Sequence, residues 1–283
     1  MAEATSPDLF NREQGEAIRK LEAHHDELLA LLEESADRDP ATAIRLAVAL
    51  WRYWFLRGHL ALVAPAIERA VTRAPETRGL VTLGVICFFL GRHDDAARQV
   101  AKLTGLEGED LAFARTVEGW VAQGRGDWET ASQAFDESLH AFRALHHRWG
   151  EALSLLNLGE VARSRGNLTA ARRHYDADLA IYRELGEQSA IAATLCNLGF
   201  VDLAEGRDPS AALSEALELS RSVGNRQFIP GILIGFASWH LASGDAERAR
   251  RLVAEADAEI EQLGSAYEPA DQLERDRVVA RLR

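Results

Sequence analysis

Side chains able to move protons or hold metal are spread thinly through this sequence. His24-His25 and His146-His147 are adjacent pairs. Neighbours on a helix point about 100° apart, so neither pair grips one ion. No His-Glu-x-x-His segment and no paired-cysteine spacing offers a zinc site. No Gly-rich loop followed by Lys and Ser/Thr offers a phosphate cradle. The expectation is no metal and no cofactor. Glu118, Glu160 and Asp202 are the acids available if the chain turns over a ligand. Two amides, Asn157 and Asn197, stand 40 residues apart and carry both a donor and an acceptor, as an extended peptide demands.

The elements that must position these groups are helical. In residues 149 to 186, Leu155, Leu158 and Ala162 recur at three- and four-residue spacing, and Leu168, Ala171, Tyr175, Leu179 and Tyr182 do the same after a turn at Gly166. Gly166 suits the positive φ that closes a helix, and Asn167 can cap the next one. Gly91, Gly126, Gly166, Gly206 and Gly244 each precede an alanine by five residues: Ala96, Ala131, Ala171, Ala211 and Ala249. Seven residues before them stand Gly84, Gly119, Gly159, Gly199 and Ala237, where a larger side chain would hold paired helices apart. The turn glycines are 35 to 40 residues apart, the period of a stacked helical solenoid.

A small residue at the eighth position, Gly at the fifteenth and Ala at the twentieth resembles the tetratricopeptide repeat. The wording Tyr182-Arg183-Glu184-Leu185-Gly186, the stretch Leu21 to Leu28 and the stretch Trp51 to His59 are similar to the helical-repeat region of bacterial STAND-class ATPases and LuxR-type transcriptional regulators. Those relatives also carry nucleotide- and DNA-binding modules, which this sequence does not spell out.

The resemblance implies an all-α, tetratricopeptide-like right-handed superhelical solenoid of about six helical hairpins with capping helices. Residues 1–10 are expected to fray and residues 11–283 to form the single solenoid. One helix is expected over 11 to 35, hairpins over 41–74, 76–104, 110–146, 149–186, 188–223 and 227–263, and a closing helix over 268 to 282.

The resemblance also implies a concave groove lined by the first helix of each hairpin. The pattern places Arg52, Phe88, Trp120, Asn157, Glu160, Arg163, Asn197 and Phe200 there. In peptide-binding relatives an asparagine at the sixth repeat position bonds the ligand backbone; the other reading has both amides bonding a neighbouring helix. Trp120 and Phe200 would give apolar contact, and Arg52, Glu160 and Arg163 would read charge. Arg115, Glu118, Asp202 and His240 break the apolar code and mark a second, buried polar site. Arg115 and Glu118 are spaced to pair with each other or to reach a ligand from beneath the groove.

The chain has 283 residues, 47% of them hydrophobic, and a formal charge of −12. Acidity disfavours phosphate backbones and anionic membrane, so neither nucleic acid nor membrane is an expected partner. Cys87 and Cys196 lie far apart on apolar stretches and read as buried thiols in a cytoplasmic protein. The reading is a non-catalytic module for a protein or peptide partner in regulation or assembly. The alternative is an apolar small molecule enclosed, or turned over, by the superhelix.

Overall fold

The computed structural model describes residues 1–283. It contains helices and turns without a strand. In chain order, α1 (Ala2–Thr5) runs into a 3₁₀ turn at Ser6–Phe10. Then follow α2 (Gln14–Glu22), α3 (His25–Arg38), α4 (Pro40–Arg57), α5 (Leu60–Arg73), α6 (Thr77–Phe89), α7 (His93–Val100), α8 (Gly108–Gly124) and α9 (Trp128–Ala144). The remainder is α10 (Arg148–Ser164), α11 (Leu168–Leu185), α12 (Gln188–Ala204), α13 (Ser210–Ser222), α14 (Ile229–Ala242), α15 (Ala246–Leu263) and α16 (Pro269–Leu282). The pairs from α4/α5 to α14/α15 are six antiparallel hairpins stacked as a right-handed superhelical solenoid. The first helix of each pair lines the inside.

The turns work as their residues dictate. Gly91, Gly126, Gly166, Gly206 and Gly244 all have φ between 72° and 87°. After α10, Gly166 N–H bonds Arg163 O at 2.9 Å and Asn167 N–H bonds Ala162 O at 2.8 Å, which satisfies the last carbonyls. Asp127, Asn167 and Asp245 then cap the following helices, accepting from the backbone N–H three residues on at 3.0 to 3.1 Å. The small eighth position is a close approach: a Cβ on Gly159 would lie 2.4 Å from the Tyr175 ring, and one on Gly119 2.4 Å from the Phe135 ring.

Two expectations are corrected. Within residues 1–10, where fraying was expected, Ala2–Thr5 and Ser6–Phe10 are helical, and Leu9 is fully buried. The single helix over 11 to 35 is two, broken at Ala23-His24. The break has a packing cause. Helix α3 stacks on α4 and α5, whereas α2 crosses the ring to the start of α12, and one straight helix cannot do both.

The superhelix closes on itself. Arg226 N–H bonds Leu56 O at 3.1 Å, Arg57 donates to Gly224 O at 2.9 Å, and Ala266 N–H bonds Phe89 O at 3.3 Å. The first two hairpins therefore touch the beginning and end of the sixth. No helix is long and apolar enough to cross a membrane.

Candidate functional site

Closure gives the inner face a centre. Five of the eight expected groove residues, Arg52, Trp120, Asn157, Glu160 and Asn197, line one central cavity of about 60 Å³. Phe88 lies behind Trp120, stacked on it with centroids 5.2 Å apart. Arg163 and Phe200 line the adjoining cleft.

These side chains bond one another. Trp120 Nε1–H donates to Asn157 Oδ1 at 2.8 Å, and Asn157 Nδ2 donates to Leu153 O at 2.9 Å. Asn197 Oδ1 accepts from Arg163 at 3.1 Å, and its Nδ2 donates to Glu160 at 3.3 Å. Gln123 donates to the other Glu160 oxygen at 3.0 Å. The Arg163 guanidinium sits 4.7 Å from the Phe200 ring centroid. Both asparagine amides are thus engaged with neighbouring side chains and backbone of this chain.

Arg52 is a brace. It is buried, bonds Glu187 at 3.0 Å and packs against the adjoining rings of Trp149 and Phe10, 5.2 and 5.5 Å from their centroids. The Gln14 amide joins the same carboxylate, donates to Leu9 O at 2.8 Å and accepts from Ser189 Oγ at 2.7 Å. Glu187 in turn caps α12 by accepting from Ala190 N–H at 2.9 Å. The N-terminal segment is bolted across the inner face by charge-assisted bonds, which are stronger than neutral ones.

The C-terminal segment enters from the other side. Glu268 and Asp271, at the start of α16, line the cavity, and Asp271 meets Arg163 at 3.4 Å. Three carboxyls, Glu160, Glu268 and Asp271, face one guanidinium. Burial raises the Glu160 carboxyl above its usual range, against the hydrogen bond from Gln123 and the charge of Arg163. Burial, then repulsion from Glu160 and Asp271, holds Glu268 well above it. Burial raises Asp271 as well, with Arg163 opposing. In a low-dielectric site such carboxyls keep protons that water would strip.

Sequence reasoning missed Phe10, Gln14, Trp149, Glu187, Glu268 and Asp271. Most lie outside the positions that the repeat register assigns to the groove. The apolar pair Leu9-Phe10 in a polar terminus was the one available signal.

The second expected site does not exist as a buried unit. Arg115, Glu118, Asp202 and His240 are all partly exposed and lie on three different helices. Arg115 pairs with Glu118 and, at 2.9 Å, with Glu137. Asp202 pairs with Arg172 at 2.7 Å and Arg207 at 2.8 Å, and His240 lies 3.8 Å from Asp245. They break the apolar code because each sits where its helix meets solvent.

The volume bears on the small-molecule alternative. At about 60 Å³ the cavity falls well below the roughly 300–1,000 Å³ usual for small-molecule sites.

Residues 150–214 match the tetratricopeptide repeat family model. No curated protein matches the chain. Among solved structures it is similar to the Cut9–Hcn1 hetero-tetramer of the APC/C, with 17% identity and a TM-score of 0.62 over 98% of this chain and 52% of that one. It is equally similar in fold to a Rap protein complexed with competence and sporulation factor, with 13% identity and a TM-score of 0.62 over 98% of this chain and 83% of that one. The chain spans about half the length of the Cut9–Hcn1 chain it matches. The chain is a stack of helical hairpins similar in fold to these solved structures, and its match to the tetratricopeptide repeat model is confined to residues 150–214.

Proposed function

We propose that this chain is a non-catalytic repeat module that holds a partner polypeptide on its concave face and works in regulation or assembly. One observation carries the reading: the inner face already holds polypeptide. Residues 6–14 and 265–271 lie against it through an aromatic clasp on Phe10, an amide on Gln14 and carboxyls on Glu268 and Asp271. A surface that accepts two such segments has the chemistry to accept a third. The Rap structure, described with competence and sporulation factor bound, agrees with a partner-holding role for this fold. Fold alone does not assign function, so the terminal segments carry the argument.

The sixth-position asparagines then act as framework, and contact falls to residues with surface to spare. At one end these are the half-buried Val48, Trp51 and Phe113, around a depression of about 200 Å³. Cys87 and Cys196 are buried and unpaired, in keeping with work in a reducing compartment such as the cytoplasm.

The test is site-specific photocrosslinking in the native host. A benzophenone residue at Phe113 should trap a discrete polypeptide, and one at the outer-face position Glu218 should not. Equal trapping at both, or none at inner positions, refutes the module.

A further inference from the structure

A second cleft opens where the inner helices end. Its volume is about 550 Å³, and it lies between the carboxyl ends of α10, α12 and α14 and one side of α16. In a chain of charge −12 its wall is basic: Arg163, Arg165, Arg277 and Arg281 all line it. The single carboxylate on the wall, Glu274, is engaged by Ser238 at 2.6 Å and Arg277 at 3.3 Å. Arg165 and Arg281 have no ion pair. The helix ends do not neutralise them, because Gly166, Asn167, Gly206 and Arg207 N–H groups already bond the last carbonyls of α10 and α12.

Arg163, whose side chain is 10% exposed and engaged by Asn197 and Asp271, and the neighbouring Ser164 hydroxyl lie beneath the surface, so the accessible cations are Arg165, Arg277 and Arg281. Arg163 and Ser164 form part of the cleft wall. The rest of the lining is apolar, from Leu168, Phe200, Leu203 and Ala242.

We propose that this cleft binds an acidic segment of a partner polypeptide, with carboxylates on Arg165, Arg277 and Arg281 and an apolar side chain against Leu203. The assignment rests on the module reading above. Arginine forks match carboxylates bidentately. The apolar floor favours a peptide over nucleic acid, because an apolar side chain has a surface to bury against.

A short fluorescein-labelled peptide of repeated Glu-Asp-Leu, titrated into the full chain and followed by anisotropy, tests this. Wild type should bind it, more weakly as salt rises. The exposed pair Arg277→Glu/Arg281→Glu and, on a different element, Arg165→Glu should each weaken binding about tenfold or more, with thermal melts confirming that they fold. Unchanged affinity in both variants overturns the proposal. So does equal binding of a Lys-Lys-Leu repeat, or binding of oligothymidylate with none of the acidic peptide. If photocrosslinking at Phe113 traps a polypeptide while the acidic probe fails, the cleft assignment falls and the module stands; if both fail, both fall.

Discussion

Hairpins α10/α11 and α12/α13 share the inner face with the two terminal segments, yet different forces hold them there. The hairpins pack through neighbours: Gly159 on the Tyr175 ring, Gly199 on Leu213, and a hydrogen-bonded amide from each repeat to the next. The terminal segments are fastened by groups far apart in the chain. Arg52 and Glu187 are 135 residues apart, and Arg163 and Asp271 are 108 apart. Repeat packing is thus a near-neighbour sum, whereas ring closure depends on a few buried polar bonds. Such bonds are weak evidence of net stability, but breaking one side of them is costly.

Ring closure is most sensitive to loss of Arg52. Arg52→Ala leaves Glu187 buried without its cation and should cost about 3–5 kcal/mol, read as a lower urea midpoint. The N-terminal segment should loosen with it, seen as faster amide exchange at Leu9 and Gln14. An unchanged midpoint would mean that closure is not held here.

A smaller effect is expected inside the repeats. Gly159→Leu must displace the Tyr175 ring and should cost about 1–3 kcal/mol or more. Exchange should accelerate in α10 and α11 while the termini keep their protection. A loss spread evenly over the chain would erase the distinction between the regions.

Asn157→Ala comes next. It strands the buried Trp120 N–H and should cost about 1–2 kcal/mol. Trp120 fluorescence should change with it, because its hydrogen bond is lost. A stability equal to wild type would show that the amide is dispensable to the frame.

The mildest test is pH. Glu160, Glu268 and Asp271 have folded pKa values raised above their unfolded ones. Their protonated forms are favoured by folding, so this stability is fully present below the ordinary carboxylate range. It is lost as pH rises through the raised values. Glu268→Gln removes one member, so its melting temperature should fall less than wild type's as pH rises above that range. Parallel pH curves would show that Glu268 does not take part.

The small-residue, turn-glycine and capping positions were legible because they are local. A positive φ at Gly166 and a cap from Asn167 need only the adjacent turn. The inner position of Trp120, Asn157, Glu160 and Asn197 was also legible, since repeat register assigns each residue a face. Their bonding was less so. Register places Asn157 and Asn197 alike, but Asn157 meets an indole and Asn197 meets Arg163 and Glu160. The difference lies in the preceding repeat, not in the position itself.

What the sequence determined by itself was the repeating unit: hairpin length, turn chemistry, the helix that faces inward, and the all-α class. Each follows from interactions spanning about one repeat. Tertiary structure decided the rest. Closure of the ring, the burial of Leu9 and Phe10, and the meeting of Glu268 and Asp271 with Arg163 depend on the accumulated rotation of six hairpins. A small change in rotation per repeat would carry those ends past one another. No residue spacing encodes that sum, so the contents of the central cavity could be read only from the folded chain.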